Sequence, residues 1–148
     1  MKVSDCIFFQ LTKASLAGLG FWTKKVGHLG VTASQAMVLN FLGEEDRILS
    51  RVLRQKLQIT SATMTGILDR LEKLDLIERQ PHPEDRRAIL VCLTKQGSRF
   101  SKKINRLMIE ANEEFLESFG AEDSQSFRNM LKQVLADNHP RDNRFRKS

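Results

Sequence analysis

The chain has 148 residues, 41% hydrophobic and 28% charged, with a formal net charge of +6. That length can bury a hydrophobic core without disulfide staples, and no stretch approaches the roughly 20 apolar residues of a membrane span. The two cysteines, Cys6 and Cys92, form no CxxC pair, and the start, Met1-Lys2-Val3-Ser4-Asp5, resembles neither a signal nor a transit peptide. The expectation is a reduced, cytoplasmic chain without membrane contact. The positive excess is spread thinly, +3 over residues 1–31, +2 over 32–100 and +1 over 101–148. Any polyanion-binding face must therefore come from local placement.

Residues 5–27 read as a helix with Ile7, Phe8, Leu11, Leu16, Leu19, Trp22 and Val26 on a broad apolar face. Gly18 and Gly20 interrupt it, which predicts close packing or a bend. After Gly27 and Gly30, Thr32 with Gln35 three residues later predicts a capping box. The helix it opens carries Ala36, Met37, Leu39, Phe41 and Leu42. Glu44-Glu45-Asp46 is an acidic turn and Ile48-Leu49 a very short strand. Ser50 is expected to cap a third helix ending at Leu57. Thr60 or Ser61 caps a fourth, running to about Leu74, whose buried stripe is Met64, Ile67, Leu68, Leu71 and Leu74.

Two strands follow, 77–80 and 88–93. Between them, Pro81-His82-Pro83-Glu84-Asp85-Arg86-Arg87 has too many prolines and charges for a core and reads as an exposed hairpin loop. A long helix over about 98–119 shows Phe100, Ile104, Leu107, Met108, Ala111 and Phe115 on one face. A last helix over about 123–137 is expected to bury Phe127, Met130, Leu131, Val134 and Leu135. Residues 139–148 read as a flexible basic tail. The fold class is mainly α (α+β): a tight helix-turn-helix followed directly by a charged hairpin is a winged helix.

Opposite the stripe of the fourth helix stand Ser61, Thr63, Thr65, Gly66, Asp69 and Arg70. Small hydroxyl side chains at a helix N-terminus approach base edges and phosphates closely, and Gly66 adds no bulk. Arg86 and Arg87 stand at a projecting tip, where a guanidinium can enter a narrow minor groove. Asp85 is expected to orient a neighbouring arginine.

The stretch 59–97, ITSATMTGILDRLEKLDLIERQPHPEDRRAILVCLTKQG, and residues 50–97 as a whole resemble the MarR family of winged-helix regulators. The motif D-R-R-A-x-x-V-x-L-T-x-x-G from Asp85 to Gly97 is similar to that family's wing signature. Leu68-Asp69-Arg70-Leu71-Glu72-Lys73 is similar to the end of its recognition helix. With the flanking helices in order, the likeness extends over nearly the whole chain. It implies a single MarR-type domain over 1–148, with a DNA-binding lobe over 32–97 and helical dimerisation regions over 1–31 and 98–138. It implies a homodimer on double-stranded, pseudo-palindromic operator DNA, with the fourth helix in the major groove and Arg87 aimed at the minor groove. Asp75, where relatives usually have Gly, and Arg54, where they often have Ala, depart from the pattern. Asp tolerates the left-handed backbone that a helix end often needs.

Many relatives respond to small aromatic acids between the DNA-binding lobe and the dimer helices, or to oxidation of a cysteine. Phe9, Lys13, Trp22, His28 and Met37 are the candidate effector-binding residues, apolar walls with one cation. Cys6, near the start of the first helix, is the candidate redox residue, but relatives that sense peroxide hold their cysteine with tyrosines and this chain has no Tyr. Cys92 sits between Val91 and Leu93 in a strand and is expected to be inert. His28, His82 and His139 are isolated, so no metal site is expected. Nothing resembles a phosphate-binding glycine loop or a nucleophile elbow, so neither enzyme chemistry nor a cofactor is expected. A winged-helix module for protein contacts is the alternative, but such a surface needs exposed apolar groups, and this wing offers charges.

Overall fold

The computed structural model describes residues 1–137, so the basic tail expected over 139–148 lies outside the described residues. Two units are distinguishable, Met1–Asn112 and Glu113 onward. In the first, Thr32 accepts a hydrogen bond from the Gln35 backbone N–H at 3.3 Å, while the Gln35 side-chain oxygen accepts from the Thr32 N–H at 2.9 Å. This reciprocal capping box starts α2 (Ala33–Glu44). Before it, a short 3₁₀ turn at Val3–Asp5 leads into α1 (Ile7–Gly27). After it come β1 (Ile48–Leu49), α3 (Ser50–Leu57), α4 (Ser61–Lys73), β2 (Ile77–Pro81), β3 (Ile89–Leu93) and α5 (Lys95–Phe115).

β3 lies between β1 and β2 in an antiparallel sheet, with Ile48 opposite Val91 and Gln80 opposite Leu90. The core gathers Val26 from α1, Val38, Leu39 and Leu42 from α2, Leu53 from α3, Met64, Leu68 and Leu71 from α4, Val91 from the sheet and Ile104 from α5. Sheet, helix-turn-helix and the N-terminal half of α5 thus share one apolar interior, as a winged helix requires.

Left-handed residues close both helices of the helix-turn-helix. Gln58 (φ 53°) follows α3, and the Ile59 N–H reaches back to the Arg54 carbonyl. Asp75 (φ 55°) follows α4: its own N–H reaches Glu72 O at 2.9 Å and the Leu76 N–H reaches Leu71 O at 3.0 Å. That pair of bonds is a Schellman motif, and it agrees with the reading of Asp75 in place of glycine.

Several local expectations change. Ser50 is the first residue of α3 and makes no cap; extended Leu49 precedes the helix. Leu74 is 45% exposed, because α4 stops at Lys73 and the chain turns away through Asp75. β3 begins at Ile89, since Ala88 closes the loop before it by donating its N–H to Asp85 O. α5 begins at Lys95, three residues early, because Thr94 caps it by accepting from the Gly97 N–H at 2.9 Å. It ends at Phe115, not near 119.

Of the expected apolar face of α1, only Trp22 and Val26 are buried; Ile7, Phe8, Leu11, Leu16 and Leu19 are exposed. Gly18 and Gly20 have open space where a Cβ would stand, so the close packing expected of them does not occur among the described residues. In the second unit, α6 (Ala121–Asp137) follows the end of α5, and Phe119 stacks on Phe127 with ring centroids 5.6 Å apart. α6 buries none of its residues: Met130, Leu131, Val134 and Leu135 are all exposed, against expectation.

Candidate nucleic-acid interface

α4 is fixed from behind by Met64, Ile67, Leu68 and Leu71. At its start Thr60 accepts from the Thr63 N–H at 3.2 Å, and the two hydroxyls lie 2.9 Å apart. The free face carries Ser61, Thr63, Thr65, Gly66 and Arg70, all exposed. The Thr65 hydroxyl donates to the Ser61 carbonyl at 3.0 Å, which holds its rotamer and leaves the oxygen lone pairs able to accept. A Cβ on Gly66 would meet nothing within 4 Å. The fold itself therefore does not require glycine there, although glycine in a helix costs about 1 kcal/mol relative to alanine.

The hairpin between β2 and β3 is organised by Asp85. Its carboxylate accepts from the Arg87 backbone N–H at 3.0 Å, its carbonyl accepts from Ala88 N at 2.9 Å, and the Ala88 carbonyl accepts from His82 N at 2.9 Å. Asp85 thus sets the backbone beneath Arg87 and leaves the guanidinium alone, a correction to the expected side-chain contact. The guanidinium groups of Arg86 and Arg87 are exposed and meet no partner among the described residues.

Sequence reading missed the joint between recognition helix and wing. Arg79 on β2 donates to Glu72 Oε2 at 2.7 Å and to Asp69 Oδ1 at 2.5 Å. Its backbone N–H also reaches the Glu72 carboxylate at 3.3 Å. The hydrogen bond from Arg79 holds the Glu72 carboxyl below the usual carboxylate range, and the same bond raises the Arg79 guanidinium. Asp69, on the polar side of α4, is thus paired with Arg79. The only available signal was the i, i+3 pair Asp69/Glu72 with an arginine seven residues after the second. Just before β1, the Asp46 carboxylate accepts from Leu93 N on β3 at 2.9 Å and Arg47 donates to the Gln80 side chain on β2 at 3.0 Å.

The effector candidates are not gathered into one pocket. Phe9, Lys13 and His28 are exposed and Met37 is half-buried against the core. Trp22 is 8% exposed and its indole N–H donates to the Ala33 carbonyl at 3.3 Å, so it is a core residue with its polar atom committed. Cys6 is half-buried, and burial pushes the buried Cys92 thiol up, which favours the protonated, unreactive form. Among the described residues no helix is long and apolar enough to cross a membrane.

Residues 29–88 match the family model described as MarR family. The multiple antibiotic resistance protein MarR of Escherichia coli (strain K12) is 30% identical over 108 residues, covering 72% of this chain and 75% of that protein. The chain belongs to the MarR family. The homoprotocatechuate degradative operon repressor of Escherichia coli is 25% identical over 132 residues, 89% of each chain. A solved probable transcriptional regulator from Pseudomonas aeruginosa superposes with a TM-score of 0.81 at 26% identity, covering 90% of this chain and 99% of that one. This MarR-family chain is a DNA-binding transcriptional regulator with a winged-helix fold.

Proposed function

We propose that this MarR-family regulator is a homodimeric repressor that binds a pseudo-palindromic operator and is released by a small aromatic or other organic acid. The observation that carries the reading is the pairing of two free surfaces on one rigid support: the hydroxyl-and-glycine face of α4 and the unpaired arginines of the wing. Ser61, Thr63, Thr65, Gly66 and Arg70 would enter the major groove, and Arg86 and Arg87, with the turn set by Asp85, the adjacent minor groove. Residues 32–97 form the DNA-binding lobe in this scheme. The regions 1–31 and 98–138 supply the dimer contacts, because the apolar faces of α1 and α6 are bare in a single chain. Dimerisation would draw Phe9, Lys13 and His28 into enclosed surroundings against Met37 and the core wall that includes Trp22, giving an acid one cation and apolar walls. The likeness to a homoprotocatechuate degradative operon repressor supports the sign of regulation.

The test is fluorescence anisotropy of the protein on its own upstream DNA across a salt series, with aromatic acids added in turn. Specific, steeply salt-dependent binding that is reversed by such an acid is expected. Binding that ignores DNA sequence would refute operator recognition, and binding that no acid reverses would refute the effector arm.

A further inference from the structure

The polar side of α4 faces two neighbours. Asp69 and Glu72 are turned toward β2, where Arg79 holds both. Arg70 and Lys73, each one residue further on and so about 100° round the helix, instead line a cleft of about 570 Å³ with Thr32 and Gln35 at the start of α2. No carboxylate lines this cleft. Lys73 stands four residues after Asp69, the spacing of a helix ion pair, but Asp69 is bonded to Arg79. Neither Arg70 nor Lys73 is ion-paired among the described residues.

Two exposed cations alone would suit a solvated face; Gln35 does not. It is only 4% exposed, and its side-chain oxygen accepts from the Thr32 N–H at 2.9 Å. That bond fixes which way the amide points, because the N–H needs an acceptor. The amide nitrogen makes no hydrogen bond among the described residues. It is not sealed in either, since the one side-chain atom there that is both fully buried and unpartnered is the Asn40 oxygen. Its access to solvent is the cleft that Gln35 lines. A donor pinned by the capping box on one wall and two cations on the other suit an oxyanion. A helix seated in the major groove has a phosphate backbone along each side. The wing strand flanks α4 on one side and this cleft flanks it on the other. We propose that the cleft seats a phosphate of the bound DNA backbone, with Lys73 and the Gln35 amide nitrogen as its donors and Arg70 between it and the groove. This contact rests on the reading of α4 as the helix that enters the major groove, and it fixes register on the duplex without reading bases.

Fluorescence anisotropy of the full-length protein across a salt series tests this, on a duplex of its own upstream DNA and on an unrelated duplex of equal length. Lys73→Gln should weaken both duplexes alike and flatten the dependence of log affinity on log salt by about 0.9 per lost phosphate contact, roughly 2 units for a dimer. Gln35→Glu keeps the acceptor of the capping box, where Glu and Gln are interchangeable, but replaces the donor by an anion. It should weaken both duplexes by about tenfold or more, with the melting temperature little changed. Lys132→Gln on α6, also exposed, removes the same charge outside the cleft and should leave the slope unaltered. The proposal is overturned if Lys73→Gln behaves like Lys132→Gln, if folded Gln35→Glu binds as wild type does, or if the losses are confined to the upstream duplex, which would make these residues readers of bases. It also falls if Lys73→Gln leaves DNA binding intact but abolishes a saturable thermal stabilisation by inorganic phosphate, because the cleft then holds a free ion. A wild type that binds neither duplex fails the DNA reading itself and this contact with it, whereas a wild type that binds while the variants match it fails this contact alone.

Discussion

The Arg79 guanidinium on the wing strand lies 2.7 Å from the Glu72 carboxylate on the last turn of the recognition helix. It closes a second bond on Asp69 one turn earlier, so one arginine ties α4 to the wing strand. The side chains are partly exposed, and exposed ion pairs contribute within about 1 kcal/mol to stability after solvent screening. Arg79→Met should therefore lower the melting temperature little while weakening operator affinity more, because helix and wing then move independently. Equal loss in a protein that is simply less folded, seen by circular dichroism, would contradict this.

The same contact has a pH signature. Glu72 is depressed in the folded state, chiefly by the hydrogen bond from Arg79. Its contribution is therefore present above the usual carboxylate pKa and is lost as pH falls through the folded value. Urea titrations should show a small acid-side loss of stability that Glu72→Gln reduces, with no difference in pH dependence near neutrality. An unchanged acid profile in the variant would show that the pair contributes nothing.

Gly66 should separate stability from function. With open space at its Cβ position, Gly66→Ala should raise stability by about 1 kcal/mol through helix propensity. Operator affinity should fall, because the methyl group keeps the α4 backbone from the groove floor. A variant that is both more stable and fully active would remove Gly66 from the interface.

Arg87→Ala should flatten the dependence of log affinity on log salt by about 0.9 per lost phosphate contact, roughly 2 units for a dimer. Arg87→Lys should restore part of the slope but not all of the affinity, since lysine lacks the planar fork. Thr65→Ala should instead relax sequence preference with little change in slope. Unchanged affinity and slope in a folded Arg87→Ala dimer would refute the wing contact.

At Gly97 the constraint is steric. A Cβ there would stand 1.7 Å from the Leu76 carbonyl oxygen, which also accepts from Thr94 N at 3.2 Å. A clash with backbone cannot be relieved by a rotamer, so Gly97→Ala should destabilise by about 3 kcal/mol or more. Chemical denaturation checks this directly, and near wild-type stability would mean that α5 can slide off the sheet without loss.

Light scattering should give a dimer mass at micromolar concentration, and footprinting two half-sites about 34–36 Å apart. Phe8→Asp combined with Leu135→Asp should yield monomers, as both side chains are exposed apolar groups in the single chain. A monomeric wild type would leave those faces unexplained.

The sequence by itself determined the elements and their order. Helix periodicity, the Thr32–Gln35 box and the Thr60 cap are settled by residues within one turn of each other, and the proline-and-charge run marks the exposed loop, although its first residue, Pro81, ends β2 opposite Ile89. The left-handed backbone at Asp75 agrees with what the family resemblance implied there. Tertiary structure alone decided relations between residues far apart in the chain. Trp22 looks like any aromatic on an amphipathic face until α2 brings the Ala33 carbonyl to its indole. Arg79 looks like a solvated strand residue until the turn at Asp75 folds β2 back along α4. Gly97 looks like a loop glycine until α5 crosses the Leu76 carbonyl, and Asn40 looks like a surface polar residue until α5 covers it. A side chain's local pattern fixes which face of its element it occupies, but what that face meets depends on how separate elements pack, and no single segment encodes that.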